Sequence, residues 1–373
     1  MPNYDFALIG AGLFNVVLAN KLACAGKKII IIEKRSHIGG NCYDKNDEKT
    51  NILVHVYGPH ILHFNNYNIL KYLQQYASFT PYHHRVLSLY KNKLYQMPIN
   101  IETINEYYHT SLRPYEVLSF LERKKHDTTL NECTNLEEKC ISLIGKDLYE
   151  IFFKYYTKKQ WGKDPKYLPP DIINRIPVRN DYRTSYYNKK YSYLPDNGFT
   201  HLFHNMLDHP NIRIDLNTEY KDVKNYLKNI KIIYTGTIDS FFDYQYGRLE
   251  YRSLNFIKEY VDVQDWQGIS VINYPEQQYK WTRICEPRHF YYDKWDIYSP
   301  NKTVIFKEIP VNNEDDPYYP INDKYNMVIF NQYVKLASYR DDIVFGGRLG
   351  EYRYYDMENT IESAFKLYEN IGG

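Results

Sequence analysis

The sequence predicts an α/β fold: a Rossmann-like core interrupted by an inserted helical domain and an antiparallel β-sheet domain. Three observations carry this. A glycine pair, Gly10 and Gly12, stands between a strand-like run and a helix-like run. From about Glu102 to Tyr167 the pattern is helical. From 247 to 310 it alternates apolar and polar residues without long helical stretches.

Phe6–Ile9 reads as a buried strand, Leu13–Gly26 as a helix ended by its glycine, and Lys28–Ile32 as the second strand of a βαβ unit. Residues 52–57 and 85–96 read as extended, with a hairpin-like polar centre in Leu89–Leu94. Asn135 as N-cap and Gly145 as terminator bracket a helix over Leu136–Ile144, and a second runs over Leu148–Trp161. Leu168-Pro169-Pro170 breaks helix, and Ile176-Pro177 opens an extended run. Gly198–Met206 starts another helix, followed by strands at Ile212–Leu216 and Lys231–Tyr234. A helix over Met327–Ala337, a strand over Ile343–Phe345 and a closing helix over Met357–Ile371 complete the chain. The expected core is discontinuous, comprising 1–80, 191–245 and 316–373. The helical domain takes 100–170, and the sheet domain 81–99, 171–190 and 246–315.

The length of 373 residues holds two to three domains at roughly 150 residues each. With 43% hydrophobic and 25% charged residues the composition is globular rather than disordered. The net charge of +2 gives no global field that selects nucleic acid, so any anion site must be local. The 42 tyrosines far exceed the 17 phenylalanines, which reads mainly as compositional bias with exceptions at specific sites. Five cysteines without a CxxC pair argue against a disulfide framework or a zinc cluster, and no metal site is expected. No signal segment precedes Phe6, and the longest aliphatic blocks are too short to span a bilayer, so a cytoplasmic protein without membrane insertion is expected.

Gly10-x-Gly12-x-x-Asn15 opens a helix after a strand, and Glu33 ends the next strand 23 residues after Gly10. Gly10 permits the turn, Gly12 lets a pyrophosphate approach the helix N-terminus, and Glu33 suits ribose hydroxyls. A second glycine turn, His37-Ile-Gly-Gly-Asn41, follows at once, and Phe345-Gly-Gly-Arg348 ends a late strand. Together these turns favour FAD over a simple nicotinamide cofactor.

The runs His55–His63, Lys159–Gly162, Arg175–Arg179, Tyr246–Arg252, Pro317–Pro320 and Gly347–Met357 resemble, in order and spacing, the bacterial-type UDP-galactopyranose mutases. The resemblance covers essentially the whole chain. It implies a homodimeric, FAD-dependent isomerase that interconverts UDP-galactopyranose and UDP-galactofuranose in galactofuranose biosynthesis. The reduced flavin would form a covalent adduct with the sugar, without net redox. A reductant such as NAD(P)H or a reductase is then required.

The resemblance also implies site residues. Arg175, on a mobile lid, and Arg283 would hold the diphosphate with Tyr186, Tyr319 and Tyr354. Phe152, Phe153, Tyr156, Gln160 and Trp161 would form the uridine wall with Asn273, and Arg252 would line the sugar side. His60 and His63 would sit near the flavin as proton carriers. The FAD set would be Gly10, Gly12, Leu13, Phe14, Glu33, Lys34, Arg35, Gly40, Asn41, His60, Gly347, Arg348, Asp356 and Met357. The helical insertion would form the dimer contact. Three residues depart from the family pattern: Asn15 for a glycine, His84 for an asparagine near the diphosphate, and Tyr155 for a small residue. Asn15 requires either a helix that stands off its strand or a local hydrogen bond. Competing readings are a mutase of another nucleotide sugar, a flavin oxidoreductase and a non-catalytic nucleotide binder. A thymidine-linked sugar is disfavoured by the uridine residues.

Overall fold

A computed structural model describes residues 4–125, 133–175, 177–312 and 316–371; of Asn174 and Arg175 it describes the backbone alone. Five parallel strands form the core sheet in the order 212–215, 29–32, 6–9, 231–234, 343–345. Phe6–Ile9 lies at its centre, in register with Ile29–Ile32 on one side and Lys231–Tyr234 on the other. Both central strands are buried throughout, which fits their unbroken aliphatic runs. The helix Leu13–Cys24 packs behind them against the closing helix Met357–Ile371.

Seven strands form the second sheet, in the order 319–320, 251–261, 303–311, 283–285, 271–273, 86–90, 93–97. The two-residue turn Lys91-Asn92 takes positive φ at both positions (48° and 60°), the twist that a tight hairpin requires. The expected antiparallel sheet holds with one exception: Val271–Asn273 pairs in parallel with Val86–Tyr90, a pairing that the long connection between them permits.

The helix Leu136–Ile144 has the expected cap, the Asn135 side chain accepting from the Glu138 amide. The next helix begins at Lys146 and runs to Trp161 through a wide π turn over Tyr149–Lys154. The helix expected from Met327 begins earlier, at Lys324, because Asp323 caps it by accepting from the Asn326 amide. Ile176 lies outside the described residues. Among the described residues, no helix is long and apolar enough to cross a membrane.

Asp47, in the loop of the small hairpin formed by Asp44–Asn46 and Leu53–His55, ties that hairpin to strand 251–261 of the second sheet. Its Oδ1 accepts from the Thr50 amide (2.9 Å) and hydroxyl (2.8 Å), and its Oδ2 accepts from the Tyr260 hydroxyl (2.9 Å) and pairs with Lys258. Burial works to raise its pKa, but Lys258, Thr50 and Tyr260 outweigh burial and hold it at about 2. A depressed carboxylate stabilises the fold above its unfolded pKa of about 3.9, and that contribution is lost as pH falls toward 2. Asp47→Ala is expected to cost about 2–3 kcal/mol, moderated by the partial exposure of Lys258. The check is Tm at pH 7 and below 4: a clear drop at the first, a narrowing difference at the second.

Candidate active site

A cleft of about 1360 Å³ opens at the carboxyl ends of the parallel strands. Ligand pockets typically span about 300–1,000 Å³, so this one suits a ligand as large as a dinucleotide. It brings together Gly10, Gly12, Leu13, Phe14, Glu33, Lys34, Arg35, Gly40, Asn41, His60, Gly347, Arg348, Asp356 and Met357.

Close packing builds its floor. Gly10 has φ +96°, and a Cβ there would lie 2.5 Å from Thr235 Oγ1. A Cβ on Gly40 would lie 3.0 Å from the Cα of Gly12. Helix Leu13–Cys24 starts at Gly12 with no side-chain cap and no acid in its first turn, which leaves its first amides for an anion. Glu33 accepts from the Ala11 amide (2.7 Å) and the Arg35 amide (2.8 Å), with lone pairs left for hydroxyls. Asn15 resolves as the local hydrogen bond: its Nδ2 donates to Ile9 O (3.0 Å) and Gly10 O (2.8 Å), reinforcing the turn. These donors and close approaches fit FAD.

Beside the cleft, strand register assembles a second group. Ser88, Asn273, Arg283, Glu308 and Phe256 lie directly opposite one another across five neighbouring strands, hence on one face of the sheet. Arg283 Nε lies 2.7 Å from Glu308 Oε2. Glu308 is 1% exposed, and its Oε1 has no hydrogen-bond partner among the described residues. Burial works against the Arg283 charge, but Glu308, Tyr156 and Tyr319 nearby outweigh it and hold its pKa well above the ordinary value. Tyr319 and Tyr354 stack at 5.8 Å, and the Arg348 guanidinium lies 5.3 and 5.1 Å from their centroids. Trp161 reaches the same group, 6.4 Å from Tyr319.

The histidines separate. His60 Nδ1 lies 2.8 Å from Gly58 O, the geometry of an Nδ1–H donor, which makes Nε2 an acceptor. Burial, with His55, Arg348 and Arg283 adding to it, lowers its pKa to about 3, so it is neutral at pH 7. His63 stacks on Tyr187 at 3.8 Å, and Tyr187 stacks on His84 at 5.9 Å. Burial foremost, and then the nearby Arg283, lower His84 to about 3, so the departure at position 84 adds no cation. Tyr186 meets His84 edge-on at 5.6 Å.

Two sequence expectations are corrected, and the departure at Tyr155 is placed. Phe152 is 5% exposed and packs edge-on to Tyr95 (5.3 Å), so it belongs to the core, while Phe153 is half-buried beside it. Arg252 is 4% exposed and does not line the cleft. It donates to Gln160 O (2.9 Å) and Lys159 O (3.1 Å), which ties down the end of the 146–161 helix. Tyr155 lines a separate pocket of about 490 Å³ with Tyr90, Tyr107, Asp147 and Glu276. The Arg175 side chain lies outside the described residues.

Sequence reasoning missed Glu308 and Ser88, whose importance is set by register. It also missed Thr218, Tyr220, Thr235 and Gly236, which line the cofactor cleft. Arg179 is another. It donates to the carbonyls of Arg183 (3.3 Å), Ser185 and Tyr187 (3.3 Å), and so shapes the loop that carries Tyr186. Its presence in a quoted motif was the available signal.

Residues 151–354 match the family model described as UDP-galactopyranose mutase. The chain belongs to the UDP-galactopyranose mutase family. Members of this family are FAD-dependent isomerases, and residues 8–76 of this one also match an NAD(P)-binding Rossmann-like domain. This member is 40% identical over 98% of its length to a probable UDP-galactopyranose mutase of Klebsiella pneumoniae, covering 94% of that protein. It is 39% identical to the dTDP-fucopyranose mutase of Escherichia coli, covering 96% of each chain. The UDP-galactopyranose mutase of Mycoplasma genitalium is 33% identical, over 99% of this chain and 95% of that one. A crystal structure of reduced UDP-galactopyranose mutase superposes with a TM-score of 0.79 over all of this chain and 94% of that one, at 13% identity, a likeness of fold.

Proposed function

We propose that this mutase interconverts UDP-galactopyranose and UDP-galactofuranose without net redox change. The row Asn273–Arg283–Glu308, facing Tyr156 and Tyr319 beside a dinucleotide-sized cleft, carries the reading. FAD would lie on Gly10, Gly12 and Glu33, with Arg348 and Asp356 toward the flavin. Reduced FAD supplies the nucleophilic electron pair. The side chains bind, orient and move protons.

The Arg283–Glu308 pair uses Nε, so the two Nη atoms remain for a diphosphate. Charge grows on that leaving group as the anomeric bond breaks, and a fixed guanidinium fork stabilises it. Tyr186, Tyr319 and Tyr354 add hydroxyl donors. Burial, with Tyr354 beside it, raises the Tyr319 pKa, which keeps its proton in place. Arg175 would bring a second cation on the lid. Uracil would lie against Tyr156 and Phe153, with the amides of Asn273 and Gln160 as partners. His60, which lines the cleft, would accept through Nε2 a hydrogen bond from the sugar or the flavin.

We read the working form as a cytoplasmic homodimer, reduced by NAD(P)H or a reductase. Tyr115 (75% exposed) and Leu118 (64% exposed) on helix Pro114–Lys124 support a contact through the helical unit. Light scattering checks the dimer. A monomer at working concentration contradicts it.

The dTDP-fucopyranose mutase relative favours a second reading, with a thymidine-linked deoxy sugar as substrate. The two substrates differ at the pyrimidine 5-position, the ribose 2′-hydroxyl and the sugar 6-hydroxyl. The test is kcat/KM for both furanose forms with reduced protein. We expect the UDP-galactose pair to be preferred, and a reversed preference selects the second reading.

A further inference from the structure

Lys159 has a setting that the mechanism above does not use. Its Nζ lies 2.6 Å from Tyr274 O, 3.0 Å from Glu276 O, 3.1 Å from Tyr279 O and 3.0 Å from Trp281 O. An ammonium has three N–H donors, so four carbonyls around it form a cation cage rather than an ordinary hydrogen bond. Among the described residues it forms no ion pair: Glu276 contributes its carbonyl, and its carboxylate accepts from the Lys91 amide at 3.1 Å. Carbonyl dipoles that converge on one point repel one another unless a cation sits between them.

The caged segment joins strand Val271–Asn273 to strand Arg283–Cys285. Asn273 and Arg283 therefore flank it, directly opposite one another in the register. Lys159 itself stands on the helix that carries Tyr156, Gln160 and Trp161. From the other side, Arg252 binds the carbonyls of Lys159 and Gln160. The helix end is thus fixed twice, and the cage is its attachment to the Asn273–Arg283 edge.

We propose that Lys159 is a positioning residue, a tethered monovalent cation that holds the uridine wall and the diphosphate arginine at their working separation. The inference rests on the mutase reading. Burial lowers the Lys159 pKa to about 8 while the nearby Glu276 charge works to raise it, so the ammonium is still the main form at pH 7.

The test uses FAD-loaded wild type, Lys159→Met and Lys159→Ala. It measures UDP affinity by calorimetry, KM and kcat for UDP-galactofuranose, and flavin content. For Lys159→Met we expect FAD content to be retained and UDP affinity to fall about tenfold or more, with KM rising alongside it and kcat changing less. Lys159→Ala opens the cage, so potassium or ethylammonium ions, but not sodium or tetramethylammonium, should restore UDP affinity in part. Wild-type affinity in either variant overturns the proposal. So does a loss that no small cation relieves, or a loss of FAD together with UDP, since either makes Lys159 an ordinary folding residue. If wild type converts UDP-galactofuranose and the variants match it, only this inference fails. If wild type binds no UDP, the mutase reading fails and takes the inference with it.

Discussion

Replacing Arg283 by alanine is expected to lower turnover at least about a hundredfold while FAD stays bound. Losing one donor aimed at developing charge costs roughly 3 kcal/mol, which gives that factor. Here the loss is compounded. Glu308 is 1% exposed and relies on Arg283 as its ion-pair partner, so the variant leaves a buried carboxylate without its cation. The net charge of +2 provides no general field to take over the diphosphate. Arg283→Lys keeps the charge but loses the fork, and should recover only part of the rate. FAD should be unaffected, because the Gly10, Gly12 and Glu33 framework belongs to the other sheet. Steady-state kinetics with flavin absorbance checks both halves. Near-normal turnover, or loss of flavin, contradicts the assignment.

Gly10→Ala should do the opposite, emptying the cofactor cleft while sparing the nucleotide side. The position has φ +96°, a conformation that an alanine adopts only under strain, and the new Cβ would fall 2.5 Å from Thr235 Oγ1. Thr235 cannot retreat freely, since its hydroxyl donates to Ile9 O at 2.7 Å. Strain and overpacking together amount to about 3 kcal/mol, roughly a hundredfold in FAD affinity. Flavin retained after gel filtration measures this, and UDP binding by calorimetry should survive. Full flavin retention in the variant contradicts the cradle.

The parts of this molecule that were legible in the sequence are local. The βαβ unit, the glycine turns and the Asn135 cap depend on neighbours within a few residues, so strand, turn and helix could be read directly. Asn15 was half legible. Its type announced a departure from glycine, but only the packed turn shows its amide bonded to Ile9 O and Gly10 O. The Asn273–Arg283–Glu308 row was half legible: the family motifs named Asn273 and Arg283, but Glu308 joins them only once three consecutive strands take their register. Motif resemblance marked Arg252 without saying on which side of its strand the side chain works. It turned out to hold a helix end. Phe152 shows the same limit, since an aromatic on a binding helix can equally face the core. Lys159 was quoted in a motif, but its four carbonyl partners come from a segment more than 110 residues away.

The most direct test of the mutase reading follows both substrate and flavin in one reaction. Protein loaded with FAD is reduced with dithionite under anaerobic conditions, given UDP-galactofuranose, and sampled by chromatography while the flavin spectrum is recorded. The account predicts UDP-galactopyranose over many turnovers, a flavin that stays reduced throughout, and no conversion by the oxidised protein. Stoichiometric flavin oxidation coupled to product, or equal turnover by the oxidised protein, would contradict it.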